Sequence, residues 1–151
     1  GATWEDCLNM TRFNRRLLEI ENAYRDLADL RDDYQPGAWI FTHSYDYATP
    51  TGKGVRILWI EAAGGWIKAI MDARKIPSVI QQQIVDQMLS RFDDMLIKLS
   101  QTLPNWRHVR TQGTLNDTDW ANELHPTTAG FKKIAGKFQE NLLQVFPKLR
   151  G

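Results

Sequence analysis

The sequence predicts an α/β protein with a mainly parallel sheet. Three observations carry that expectation. Apolar residues recur at three- and four-residue steps over 11–34, 78–103 and 131–146, the period of helices with one buried face. A short apolar run at 38–42 (Ala-Trp-Ile-Phe-Thr) and an alternating run at 108–115 each follow such a helix, as strands do in α/β proteins. No repeat, low-complexity tract or linker interrupts the order, so 1–151 reads as part of one domain.

Composition narrows the classes. Hydrophobic residues make up 42% and charged residues 25%, ordinary values for a globular domain with a core. The formal net charge is +1, so no nucleic-acid partner is expected. Cys7 is the single cysteine; it forms no internal disulfide and leaves the compartment open. The richest apolar stretch, 55–71, is broken by Glu61, Gly64-Gly65 and Lys68, so no membrane span is expected.

The first helix, 11–34, places Phe13, Leu17, Ile20, Tyr24, Leu27, Leu30 and Tyr34 on its apolar stripe and Arg15, Arg16, Glu19, Arg25, Asp29 and Arg31 elsewhere. The stripe is short for a coiled coil and suits packing on a core. Pro36-Gly37 stops it. The strand at 38–42 follows, and its C-terminal end leads into His43-Ser44-Tyr45-Asp46-Tyr47. Open parallel sheets bind ligands at that end. His43, Tyr45 and Asp46 are therefore candidate substrate contacts; the alternative is a polar loop with its tyrosines packed on neighbours.

Residues 48–55 are dense in turn formers. Gly52-Lys53 lacks the upstream glycine and the following Ser or Thr of a phosphate loop. Within 55–76, Trp59 and Trp66 flank Gly64-Gly65, and 66–74 suits a short helix. Such a segment serves as a lid, a pocket wall or a cap over the core. Pro77-Ser78 opens the clearest helix, with Ser78 and Gln81 in a capping-box pattern. Its stripe runs through Ile80, Ile84, Met88, Phe92, Met95 and Leu99, the methionines reading as core filler. Pro104 ends it, Asn105-Trp106 turns the chain, and a strand is expected at 108–115, with His108 a partly exposed structural histidine rather than a ligand.

The stretch 119–131, Asp-Trp-Ala-Asn-Glu-Leu-His-Pro-Thr-Thr-Ala-Gly-Phe, carries the strongest chemical signal. Pro126 suits a first helical turn, and Thr127 suits an N-cap if the helix starts later. His125 then stands on a stiff corner before a helix, in a position for a general base. The last helix carries Phe131, Ile134, Phe138, Leu142 and Phe146 and ends at Pro147.

The block Trp-Ala-Asn-Glu-Leu-His-Pro-Thr-Thr-Ala-Gly-Phe-Lys-Lys-Ile-Ala, 120–135, resembles the last conserved block of the SGNH (GDSL-like) hydrolases, which are esterases and lipases. The loop His-Ser-Tyr-Asp-Tyr-Ala-Thr-Pro-Thr-Gly, 43–52, is similar to loops of some members. The resemblance implies a three-layer α/β/α sandwich with a mainly parallel sheet and a serine ester hydrolase in which His125 is the base. It implies a small-molecule ester substrate and no cofactor or metal. The family's aspartate three residues before the histidine is replaced here by Asn122. Asn122 then orients the ring, with Asp119 as the alternative and Glu123 or Asp46 as other carboxylates within reach.

The family's Gly-Asp-Ser nucleophile, its oxyanion glycine and its Gly-x-Asn-Asp block have no counterpart in this sequence. Ser78 reads as a helix cap, Ser100 lies late in a helix, and Ser44 has no nucleophile context. The resemblance therefore implies the C-terminal half of such a hydrolase, with an N-terminal half, from the same precursor or a second chain, as partner. A binding or interaction module that keeps the half-fold is the other reading. A metal site around His43 and His125 lacks any close-spaced ligand pair.

Overall fold

The computed structural model describes residues 3–57 and 60–149. A short helix α1 (Trp4–Cys7) leads into α2 (Met10–Tyr34), whose N-terminus is capped by the Asn9 side chain. Strand β1 (Ile40–His43) is followed by β2 (Val55–Ile57) and β3 (Ile60–Ala63), then by α3 (Lys68–Ala73) and α4 (Ser78–Thr102). Strand β4 (Trp106–Val109), a 3₁₀ turn (Asp117–Asp119), α5 (Thr128–Val145) and a second 3₁₀ turn (Pro147–Leu149) complete the order.

The fold is α/β and mostly helical. β1 and β4 pair in parallel, with Ile40 opposite Trp106 and His43 opposite Val109. β2 and β3 form a separate antiparallel pair. The parallel pair lies between helices. On one face, Ala28 of α2, Met95, Leu96 and Leu99 of α4 and Trp106 of β4 form the buried core, with Leu17, Tyr24, Ile40 and Phe92 packed on it. On the other, Phe41 meets Phe146, His43 meets Phe138, and Arg107 hydrogen-bonds Asn141 and Gln144 of α5.

Several elements differ from the sequence reading, each for a local reason. The second strand begins at Trp106 because the turn is made by Asn105 alone, at φ 51°. It ends at Val109 because Gly113, Thr114 and Leu115 give their N–H groups to the Asp46 carboxylate instead of a ladder. The expected capping box at Ser78 does not form; the Gln81 side chain donates to Asp72 and to the Ile76 carbonyl. On α2 the apolar positions divide between two faces. Leu17, Tyr24 and Ala28 face the core, while Ile20, Leu27, Leu30 and Tyr34 are exposed. Arg31, expected outside, is buried and donates to the carbonyls of Ala38 and Asn105, fastening α2 to the start of both parallel strands. The short helix expected at 66–74 is α3; Trp59 lies outside the described residues.

Candidate active site

The turn carrying His125 is closed on itself. The Asp119 carbonyl accepts the Thr127 N–H at 2.6 Å, and Trp120 bridges Pro126. Thr127 is the N-cap of α5, its hydroxyl accepting the Gly130 N–H, so Pro126 lies just outside the helix. A Cβ at Gly130 would stand 2.7 Å from the Asp119 carbonyl oxygen, so this close return admits glycine.

Within the turn, Asn122 is buried and His125 is exposed. Asn122 Oδ1 lies 3.0 Å from His125 Nδ1 and accepts the backbone N–H groups of Leu124 and His125. An atom approached by three donors is the amide oxygen. The ring therefore donates from Nδ1 and keeps a lone pair at Nε2, which has no partner among the described residues.

The neighbouring carboxylates are engaged elsewhere. Asp119 accepts from the Asn116 N–H at 2.9 Å and from Lys133 Nζ at 2.6 Å, and these bonds hold its carboxyl below the usual range. Glu123 is fully buried and accepts the N–H groups of Gly52, Ile67 and Lys68. Asp46 accepts those of Tyr47, Gly113, Thr114 and Leu115. Of the acids weighed from sequence, none touches the ring; each fastens a loop around it.

His125 borders a cavity of about 690 Å³. His43, Tyr45 and Asp46 line it from the end of β1, as does Ser44. Ile67 and Met71 come from the α3 segment, Val85, Met88 and Leu89 from α4, and Phe131 and Ile134 from α5. The structure thus brings the two sequence-derived clusters to one cavity. It also adds the α3 and α4 walls, which no local motif marks. Met95 is core filler as expected, whereas Met88 faces the cavity. Trp66 sets its ring edge-on to His125, centroids 6.1 Å apart. The Tyr45 hydroxyl donates to the Leu124 carbonyl beside the histidine, and burial pushes its pKa up.

No known protein family, curated protein or solved structure matches the chain.

Four serines are present. Ser44 is buried, and its hydroxyl accepts the Thr111 N–H. Ser78 opens α4, and Ser100 donates to the Ile97 carbonyl. Ser90, which the sequence reading passes over, sits on α4 within 3.4 Å of the Tyr47 hydroxyl. None of the four hydrogen-bonds His125 among the described residues. A second histidine cluster lies beneath the cavity floor. His108 Nε2 is 2.7 Å from Asp93 Oδ1 and 3.3 Å from Ser44 Oγ, all three buried. A hydrolytic triad places the acid at Nδ1 and the serine at Nε2 of an accessible ring. Here both crowd one nitrogen inside the core, so the cluster is structural; His108 is buried rather than partly exposed as the sequence suggests, because Asp93, Thr42 and Ser44 close around its ring. Among the described residues no group of three or more His, Cys, Asp or Glu side chains could hold a metal ion. No described helix is long and apolar enough to cross a membrane.

Proposed function

We propose that this chain is the C-terminal part of a serine ester hydrolase of the SGNH type, supplying the catalytic base and part of the substrate cavity. One observation carries the reading: His125 is oriented through Nδ1 by Asn122 and keeps an acceptor nitrogen at the edge of a cavity. A base for a serine hydroxyl needs that combination of fixed tautomer, open Nε2 and adjacent space for an ester. The nucleophile and oxyanion hole belong to an N-terminal segment. That segment extends the β1–β4 pair along the edge of β1 and completes a three-layer α/β/α sandwich. The helices on both faces of the pair and the exposed apolar residues of α2 support such a completion.

The test is reconstitution with a segment bearing a Gly-Asp-Ser motif. A serine-reactive phosphonate should label that segment, and His125→Ala should abolish ester turnover of the assembled enzyme. Full activity without His125 would overturn the reading. A specific observation favours a second reading, a binding module without catalysis: each of the four serines is accounted for away from His125. Ligand binding in a folded protein that no phosphonate labels, alone or reconstituted, would establish it.

A further inference from the structure

We infer that the cavity beside His125 takes neutral esters whose larger part is apolar, in preference to acetylated sugars. The ester part of this inference rests on the hydrolase reading; the preference for an apolar group rests on the cavity alone.

Its volume, about 690 Å³, is that of a site for a drug-sized molecule and far exceeds what an acetyl group fills. The walls of Ile67, Met71, Val85, Met88, Leu89 and Leu115 are apolar. Unbranched methionine side chains let such walls adapt to chains of different shape.

The polar residues at the cavity are already committed. The Asp46 carboxylate accepts four backbone N–H groups. The Ser44 hydroxyl accepts the Thr111 N–H, and the Tyr45 hydroxyl donates to the Leu124 carbonyl. His43 Nδ1 bonds the Ser44 carbonyl. Among the described residues this leaves the Nε2 atoms of the two histidines and the indole N–H of Trp120. The several hydroxyls of a sugar would find these three partners and otherwise lose their hydration without replacement. Among the described residues no lysine or arginine lines the cavity, so a carboxylate or phosphate meets no counter-charge from them. Asp46, the one acid lining it among the described residues, is saturated by N–H donors, so an ammonium meets none from them either. A neutral apolar chain meets none of these penalties.

The test uses 2-alkanones from six to eleven carbons, neutral ester mimics that need no nucleophile, with methyl-labelled methionine as reporter. Affinity should rise about fourfold per methylene. The Met71 and Met88 methyl signals should shift while Met95, in the core away from the cavity, stays still. Met71→Trp, which fills the cavity from the half-buried α3, should weaken binding of the longest ketone about tenfold or more. A flat series would overturn the inference. So would an acetylated monosaccharide shifting the same methyls at lower concentration than the ketones. A rising series with no ester turnover on reconstitution keeps this inference and removes the hydrolase. Turnover of acetyl esters with a flat ketone series does the reverse.

Discussion

Asn122 Oδ1 is shared by the His125 imidazole at 3.0 Å and by the backbone N–H groups of Leu124 and His125 at 2.9 Å each. The residue thus shapes the turn and aims the ring with the same atom. An amide orients imidazole but places no charge beside the imidazolium formed when a base takes a proton.

Asn122→Asp keeps the three acceptor bonds and adds that charge. A charge-assisted hydrogen bond is roughly twice as strong as a neutral one, a gain of about 1 kcal/mol, or about fivefold in rate. We expect kcat of the reconstituted enzyme to rise by that order in Asn122→Asp and to fall about 100-fold or more in Asn122→Ala. Nitrophenyl ester kinetics measure both. Equal rates in the three proteins would show that the Asn122 contact does not orient the base.

Glu123 predicts a stability effect two residues from the same histidine. Its buried carboxylate joins the loop at Gly52 to the N–H groups of Ile67 and Lys68 at 2.7 to 3.1 Å. Gly65 makes room for it: a Cβ there would stand 2.6 Å from Oε2 and 2.7 Å from the Gly52 backbone. Glu123→Gln turns an amide NH₂ toward an N–H donor and should cost about 2 kcal/mol. Gly65→Ala should cost about 1–3 kcal/mol by overpacking. Because both act on one contact, the double variant should cost less than the sum in urea denaturation. Strict additivity would mean the two residues act separately.

The site was legible from sequence where its geometry is local. Asn122 and His125 are three residues apart, within one turn, and their pairing follows from that spacing. Choosing among Asp119, Asn122 and Glu123 was not settled by spacing, because all three lie within six residues of the ring. Lys133, fourteen residues on from Asp119, and the N–H groups near Gly52 and Ile67 draw the two carboxylates away. The cavity was legible at the end of β1 and invisible at α3 and α4, whose contributions depend on packing between distant segments. Long helices announced themselves by period, although α2 carries apolar residues on two faces that one stripe had merged. The β2–β3 pair escaped because Leu58-Trp59, between the strands, lacks the glycine and asparagine of two-residue hairpin turns.

Asp46 explains why the chain leaves the sheet after Val109, and its removal should be felt there. Its carboxylate accepts the N–H groups of Gly113 at 2.6 Å, Leu115 at 2.7 Å, Tyr47 at 2.8 Å and Thr114 at 2.9 Å. Asp46→Ala leaves these donors to water or to nothing and should lower the unfolding free energy by about 3 kcal/mol. Amide hydrogen exchange should accelerate at 113–115 before it does in α4. Unchanged protection in that loop would contradict the role.

His108 sets the acid limit of the fold. Trp106 Nε1 donates to Thr42 Oγ1 at 3.2 Å, the Thr42 hydroxyl donates to His108 Nδ1 at 3.0 Å, and His108 Nε2 donates to Asp93 at 2.7 Å. This relay suits the neutral ring. Burial pushes the imidazole pKa below its usual value, outweighing the upward pull of Asp93; His43 and Arg110 add to the downward shift. The unfolded chain therefore binds a proton that the folded one refuses. Stability from this group is complete above the unfolded pKa, about 6.5, and is lost as pH falls from there toward the folded value. Asp119, whose carboxyl is held low, adds a loss at lower pH, below about 4. Melting temperature should be nearly level from pH 8 to 7 and should decline between pH 6.5 and 5. His108→Asn should start from a lower stability and lose that decline. A wild-type profile level down to pH 5 would show that the buried ring accepts the proton without cost.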